Sequence, residues 1–411
     1  MNNQKVFILN SPDEIDEQLK VRLITNTLDE LVINYSLSVD INRENFSDSP
    51  FFALKPLRHV RFKITAGEKC TSLAGLFANC ENLQSCEPVD AGRVTDLSSA
   101  LKNCHKLESI PFTATGGVKN FKGFCECCFS LKSIGDLDTS SAEDLSFAFS
   151  ACRSLQQIPQ LDTSKATTME SAFDNCYALT EVALLDTSSV TNMNNCFLSC
   201  CSLRELPKFR FTSLESAVSM CDSCEQLKTI PQWDLRHAKK LNMMFMGCSS
   251  LEKVPSLDLS GATVLSYMFA HCENLVSVGD LKAGRANVAD HMFCDCKKLE
   301  QLPAIEGLGK VTDLTEFAGD CRSLVHVPIY DTASVQNLNR AFCNCSSLIK
   351  FPLWNTAGAI NFNSMFENCT SLTEVPEFAT DSAQLYDNMF KNCTALKHKP
   401  EFFIASKFRR F

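Results

Sequence analysis

Apolar residues recur along most of this chain with a period of 24 residues. The run Met244 to Pro255 reads Met-Phe-Met-Gly-Cys-Ser-Ser-Leu-Glu-Lys-Val-Pro, and similar runs begin at Met268, Met365 and Met389. Each run contains one cysteine at a fixed place, which serves here as the anchor from which positions in a repeat are counted. Such a period predicts a stack of short units that bury their apolar residues against one another. The anchors are Cys80, Cys104, Cys128, Cys152, Cys176, Cys200, Cys224, Cys248, Cys272, Cys296, Cys321, Cys345, Cys369 and Cys393.

The pattern inside one repeat predicts a strand and a short helix. Leucine stands at position +3 in all 14 repeats, and phenylalanine stands at −3 in ten of them. Apolar residues at −10, −7, −4, −3 and 0 follow the 3.6-residue period of a helix. Position +6 is mostly isoleucine or valine, which favours a strand, and proline at +7 should end that strand. We therefore expect each coil to hold a short strand, a turn, a short helix and a turn back.

The repeat divides the chain into three segments. Residues 70–400 are predicted to form an α/β solenoid, a stack of about 14 coils whose short strands make a parallel sheet. Residues 1–69 lie outside the repeat and are predicted to form an α/β cap over the first coil, because the end of a solenoid exposes its core. Residues 401–411 contain four phenylalanines and an isoleucine, which predicts a C-terminal cap or a docking tail.

Three strands and one helix are predicted within the N-terminal segment. The strands lie at Val6–Leu9, Leu31–Val39 and Val60–Ile64. The helix is expected to start after Ser11, because a proline and a glutamate follow that residue at places typical of a helix N-terminus.

Composition narrows the class of protein. The net charge of −9 and the absence of any Lys/Arg run longer than two residues argue against nucleic-acid binding. No apolar run is long enough to cross a membrane. The chain holds 23 cysteines, yet it is long and shows no secretory signal at Met1–Ser11, so reduced thiols are favoured over a disulfide framework.

These repeats resemble the BspA-like branch of leucine-rich repeats, a short-period repeat also abundant in lipoproteins of wall-less bacteria. The resemblance rests on Leu185-Asp186-Thr187-Ser188-Ser189-Val190-Thr191-Asn192-Met193, followed by Phe197 and Cys200, and on Met244 to Leu251. It covers about residues 70–400 and implies a leucine-rich-repeat fold. It also implies a bacterial binding protein that faces a host or the cell exterior, without catalytic residues.

The start of the chain differs from that of surface members of this family. It shows neither a signal sequence nor a lipid-attachment cysteine. We therefore expect a cytoplasmic protein, or one exported without a classical signal peptide, rather than a protein of the extracellular surface.

Position +5 is the candidate recognition surface. It varies from repeat to repeat, and it precedes the buried +6 residue, so strand alternation should point it outward. We call these residues the variable row and predict that they bind a protein or peptide partner, although an inert solvated face has the same pattern. The predicted partner-binding residues are Gln157, Glu181, Glu205, Thr229, Lys253, Gln301, His326, Lys350 and Glu374.

Cysteine and histidine clusters offer rival chemistries. The pairs Cys125/Cys128 and Cys221/Cys224 have redox spacing, but no thioredoxin-like strand and helix surrounds either of them. A zinc site has suitable residue types near one another in the sequence, yet His271 stands where six other repeats have asparagine. Core packing of the cysteines is the favoured interpretation, with no metal and no cofactor. The zinc candidates are His271, Cys272, His291, Cys294 and Cys296.

Aspartate recurs at position +10 and is expected to accept hydrogen bonds from turn amides rather than bind calcium. The aspartates are Asp90, Asp138, Asp162, Asp186, Asp234, Asp258 and Asp331. Large aromatic residues stand at position +9 in five repeats, where the pattern does not decide between a core place and an exposed ridge. These are Phe209, Trp233, Tyr330, Trp354 and Phe378.

The favoured function is non-catalytic recognition of a protein or peptide partner, because the repeat is uninterrupted and places no nucleophile, base or metal set. A structural spacer or adhesin-like stalk is the alternative, and an enzyme that uses the thiol or His–Cys clusters is the least favoured.

Overall fold

The structure, a computed structural model, describes residues 5–9, 28–33, 51–55, 57–62, 64–65 and 70–401. Only the backbone is described for 5–9, 28–33, 61–62 and 64–65. The chain divides between Leu203 and Arg204 into two compact units, here called the first and the second unit. Each is a solenoid of parallel coils, which confirms the predicted fold class.

The described residues of the first unit form three parallel sheets. The first has the order β1–β2–β3–β5, the second β4–β6–β7, and β8 pairs with β9. A 3₁₀ helix covers Thr115–Gly117. The strands are β1 Lys5–Leu9, β2 Leu28–Ile33, β3 His59–Phe62, β4 Ile64–Thr65, β5 Ser85–Cys86, β6 Val89–Asp90, β7 Phe112–Thr113, β8 Gln157–Ile158 and β9 Glu181–Val182.

Over residues 204–401, the second unit forms two parallel sheets of short strands. β10 pairs with β12, and the other sheet has the order β11–β13–β14. The strands are β10 Lys253–Val254, β11 Leu257–Asp258, β12 Ser277–Val278, β13 Leu281–Lys282 and β14 Ile305–Glu306. The one repeat with an extra residue absorbs it at Gly307, with φ of 91°, before a 3₁₀ helix over Leu308–Lys310.

The short helix predicted in each coil is wrong, because the segment before each anchor is a series of tight turns. Residues at −5 and −1 have left-handed backbone conformation in every repeat, as at Ser99 with φ of 54° and Asn103 with φ of 60°. A left-handed residue at every fourth place interrupts an α-helix. Apolar spacing could not separate the two structures, since the corners of successive turns also point inward at intervals of three or four residues.

Hydrogen bonds explain why tight turns are favoured over a short helix in this segment. Successive amides of this segment alternate between two acceptors. One donates to a carbonyl of its own coil, and the next donates to a carbonyl of the following coil. Cys104 N donates to Leu101 O at 3.1 Å within its coil, whereas Leu101 N donates to Phe124 O in the following coil at 2.9 Å. The same segment therefore satisfies its own turn and adds a parallel ladder between coils, which an isolated helix could not provide.

The core consists of stacked rows of identical side chains. In the first unit the rings of Phe149 and Phe173 are stacked with centroids 5.5 Å apart, and in the second unit Phe245 and Phe269 are stacked at 5.7 Å. The +3 leucines from Leu83 to Leu372 are buried, and so are the anchor cysteines from Cys80 to Cys369. Identical slots repeated at each coil explain why the sequence repeats so strictly at these positions.

The N-terminal strand predictions are confirmed in part. β1 matches the strand predicted at Val6–Leu9, and β3 and β4 cover most of the one predicted at Val60–Ile64, whereas β2 begins and ends before the one predicted at Leu31–Val39. The helix after Ser11 and the tail beyond Glu401 lie outside the described residues. Within the described ranges, no helix is both long and apolar enough to cross a bilayer.

Candidate functional site

The variable row is exposed on short strands. In β8, β9 and β10 the +5 residue is exposed and the +6 residue is buried. All nine predicted residues are exposed. The +7 proline follows directly after β8 and β10, as at Pro159 and Pro255, because proline cannot donate to the next ladder bond. The alternation that motivated the prediction is therefore present in the fold.

In the first unit the variable row borders a shallow depression. Gln157 Nε2 donates to Glu181 Oε2 at 3.1 Å, so the two side chains form one polar surface across adjacent coils. A cavity of about 420 Å³ lies beside them and is also lined by Ser133, Ile158 and Pro159. Hydrogen-bonding side chains and an apolar floor thus meet at this surface.

In the second unit the variable row carries both signs of charge. Lys350 Nζ lies 2.9 Å from Glu374 Oε2, and both side chains are more than half exposed. Backbone bridges join Thr229 to Lys253, and His326 to Gln301. Because an exposed ion pair adds little stability, the charges of this row are available for a role other than holding the fold.

A groove that the sequence did not predict runs beside this row in the second unit. Residues at +8 and +10 form its walls over five successive coils, and buried +9 residues such as Trp233 and Leu281 form its floor. Two cavities of about 390 and about 500 Å³ share Gln232, Ser256 and Asp258, which makes the groove continuous. The period-two alternation around position +9 was the signal that could have revealed it.

The +10 aspartates are turn residues, as predicted. In all seven, one carboxylate oxygen accepts a hydrogen bond from the amide two residues on, as Asp138 Oδ1 does from Ser140 N at 3.0 Å. Hydrogen bonds from Ser140 lower the pKa of Asp138 below its ordinary value, and bonds from Ser164 do so for Asp162. Each carboxylate is therefore committed to its own turn.

The +9 aromatics, whose place the sequence left undecided, are buried. The polar atoms of the two tryptophans and the tyrosine donate to the carbonyl of the +7 proline in the preceding coil. Trp233 Nε1 donates to Pro207 O at 3.2 Å, and Tyr330 Oη donates to Pro303 O at 2.7 Å. Proline at +7 thus ends a strand and also leaves a carbonyl for a buried aromatic side chain.

The anchor thiols hold neighbouring coils together. Cys104 Sγ donates to Phe77 O at 3.2 Å, and Cys272 Sγ donates to Phe245 O at 3.2 Å, each to the −3 carbonyl of the preceding coil. The core-packing prediction for these cysteines is confirmed. Burial raises the pKa of the Cys80 thiol to about 12, so it stays protonated near neutral pH.

The cysteines and histidines considered for redox chemistry or zinc binding lack the surroundings that such sites require. Cys125 and Cys128 are buried, and burial raises the pKa of Cys125, which disfavours the thiolate that redox chemistry requires. Cys221 and Cys224 are also buried. His291 Nδ1 lies 3.0 Å from Asp290 Oδ2, and His271 Nδ1 lies 3.3 Å from Asp295 Oδ2.

The zinc-candidate cysteines are engaged elsewhere. The Cys272 and Cys296 thiols donate to backbone carbonyls, and Cys294 Sγ lies 3.7 Å from a Glu316 carboxylate oxygen. Across the residues that the structure describes, no three such side chains are arranged to hold a metal ion. His271 and His291 instead occupy left-handed positions of the turn series, where asparagine and histidine are both well tolerated.

Two family profiles match the sequence. That of the BspA type leucine rich repeat region matches residues 241–338 and 262–397 in six copies. That of a Mycoplasma protein of unknown function, DUF285, matches residues 71–180 and 119–230. The predicted resemblance is confirmed by these matches: the repeats over residues 241–397 match the BspA type leucine rich repeat.

A comparison with solved structures matches proteins from several bacteria. A leucine-rich repeat protein from Bacteroides ovatus is 16% identical, with 90% of this chain and 86% of that chain covered and a TM-score of 0.49. One from Eubacterium ventriosum is 13% identical, with 90% and 92% covered and a TM-score of 0.37. An internalin from Listeria monocytogenes is 14% identical, with 82% and 85% covered and a TM-score of 0.23. A comparison with curated proteins finds no match.

Proposed function

We propose that this chain is a non-catalytic recognition scaffold that binds a protein partner through its variable row. The observation that carries the proposal is the contrast between positions +3 and +5 of each coil. Position +3 is leucine in every repeat, whereas position +5 is exposed and changes in charge and size along the solenoid. A structural spacer would share the leucine row, so the proposal is supported by the charged and hydrogen-bonding groups that the +5 row exposes.

The row offers what protein recognition requires. It combines carboxylates, ammonium groups and amides on short parallel strands, and in each unit these strands pair with those of neighbouring coils. The backbone of such strands is already ordered before binding and loses little further conformational freedom, which favours affinity. Solenoids commonly present extended surfaces of this kind to partners. A host-directed partner belongs to this proposal as an expectation that follows from the resemblance to BspA-like repeats.

Reversal of four charges on the variable row is expected to abolish capture of a partner. The variant carries Glu181→Lys, Glu205→Lys, Lys253→Glu and Lys350→Glu. All four side chains are exposed, so the fold should tolerate the changes while the charge pattern is inverted. The measurement is quantitative affinity capture followed by mass spectrometry, with the wild-type chain and the variant as bait.

The matched control reverses four exposed charges on other rows: Glu225→Lys, Asp381→Lys, Lys165→Glu and Lys298→Glu. It should retain the partner that the first variant loses. Partners that bind both variants equally would contradict the proposal. Partners lost only when residues 1–69 are deleted would assign recognition to the N-terminal segment and favour the spacer role for the repeats.

A further inference from the structure

The groove of the second unit is electrically polarised along its length. The walls at one end contain three basic residues, Lys208, Arg210 and Arg236, with Asp234 and with Asp258, which both cavities share. Arg236 Nε and Asp234 Oδ1 form an ion pair at 2.8 Å, so the ammonium group of Lys208 is the charge that this end offers to a ligand.

The opposite end of the groove carries the opposite excess. Its walls contain Asp258, Asp280 and Glu306 against a single basic residue, Lys282. Lys282 is in register with Asp258 on one side and with Glu306 on the other. One ammonium group therefore faces three carboxylates, and this end of the groove is net negative.

An apolar ledge continues the +8 wall beyond the negative end. Position +8 is Ala304 in the last coil of the groove, and it becomes Ile329 and Leu353 in the next two. These side chains are 76% and 61% exposed. The residues that follow them, Tyr330 and Trp354, pack with ring centroids 5.5 Å apart, so the two exposed side chains lie side by side. Large apolar side chains this exposed are typical of interaction surfaces.

We propose that groove and ledge together bind an extended peptide segment with one apolar, one basic and one acidic side chain in that order of position. This inference rests on the proposed recognition function and adds a second contact surface, beside the variable row, for an extended segment of the partner. The apolar side chain packs on Ile329 and Leu353, the basic one pairs with Asp280 and Glu306, and the acidic one pairs with Lys208. Gln232 and Ser256, between the charged ends, are placed to hydrogen-bond the peptide backbone.

Strand spacing sets the distances between the three side chains. Neighbouring strands lie about 4.8 Å apart, and an extended peptide rises about 3.3 Å per residue. The ledge is about two coils from the negative end, or about three peptide residues. The negative and positive ends are about three and a half coils apart, or about five peptide residues. The expected pattern is therefore apolar, basic about three residues away, and acidic about five residues further, in either chain direction.

The test is selection of a random peptide library displayed on phage against the full-length chain. Enriched peptides are expected to share the apolar–basic–acidic pattern with these spacings. A synthetic peptide of that pattern should bind at least about tenfold more weakly to an Ile329→Ser/Leu353→Ser variant and to an Asp280→Lys/Glu306→Lys variant. Leu184→Ser is the matched control, because Leu184 occupies position +8 in the first unit and is 55% exposed.

A charge swap separates recognition from misfolding. The same peptide with its basic residue changed to glutamate should bind the Asp280→Lys/Glu306→Lys variant more tightly than it binds the wild-type chain. Failure of this rescue, or enrichment of peptides without the pattern, would overturn the inference. Peptides that depend on Glu181 or Glu374 instead would also overturn it and would leave the proposed recognition function standing. If no peptide is enriched, only the peptide inference is contradicted. The recognition function is tested separately by the capture experiment, which uses folded partners.

Discussion

Raising the pH above 9 is expected to unfold this protein over a narrow range, because its buried thiols must stay protonated. Burial raises the pKa of Cys80 from its ordinary value of 9.0 to about 12, and it also raises the pKa of Cys248 and Cys272 well above the ordinary value. Between the unfolded and the folded pKa, only the folded chain keeps the proton. Each such thiol then lowers the free energy of unfolding by about 1.4 kcal/mol per pH unit.

The sign distinguishes this effect from ordinary acid denaturation. The contribution of each thiol is fully present below the unfolded pKa and is lost as the pH rises toward the folded pKa. Many anchors act in the same direction, so their slopes add. Urea denaturation between about pH 8 and about pH 11 measures the total slope.

Substitution of two anchors tests the assignment of this slope to thiols. The Cys248→Ala/Cys272→Ala variant should lose about 2.8 kcal/mol per pH unit of it, whatever its stability at neutral pH. An unchanged slope in the variant would show that other groups control the alkaline transition.

Leu251→Ala is expected to lower the free energy of unfolding by about 2–5 kcal/mol. The Leu251 side chain is fully buried and belongs to a leucine row that continues through the coils of the second unit. Truncation leaves a cavity that neighbouring coils cannot close without breaking their own identical contacts. Urea denaturation at neutral pH measures the loss.

Leu396→Ala is the matched comparison. Leu396 holds the same +3 position in the repeat of the last anchor, but it is only half-buried. Its truncation should cost distinctly less, since less apolar surface returns to water. Equal losses at the two leucines would contradict a linear stack in which each coil is buried by its neighbours.

The burial or exposure of each repeat position could be predicted because that position has the same environment in every coil. Leu251 and Cys248 were predicted to be buried, and Lys253 exposed, from one repeat compared with the others. A single repeat would not have separated them. Comparison of the repeats thus supplied the information on burial that a single repeat lacks.

The turn series was missed because apolar spacing is the same for a helix and for inward-pointing turn corners. The signal that separates them is polar. Asparagine stands at −1 in six repeats, and glycine, serine or histidine stands there in others, which is the composition of left-handed positions. Asn103 and Gly247 illustrate it, with φ of 60° and 69°.

The groove could not be predicted from the variable row because its depth depends on the +9 floor. Trp233 and Trp354 have polar atoms that suit an exposed ridge as well as a core. Only the fold shows that each indole nitrogen reaches a proline carbonyl of the preceding coil. Once that ring is buried, its neighbours at +8 and +10 must point outward.

Carboxylate labelling of the chain with and without a captured partner tests the central claim most directly. Carbodiimide coupling followed by mass spectrometry reports the accessibility of each exposed acid. If the variable row binds the partner, Glu181, Glu205 and Glu374, all exposed in the free chain, lose labelling in the complex, whereas Glu225 and Asp381 keep it. Protection of Glu225 and Asp381 with full labelling of the three variable-row glutamates would contradict recognition through the variable row.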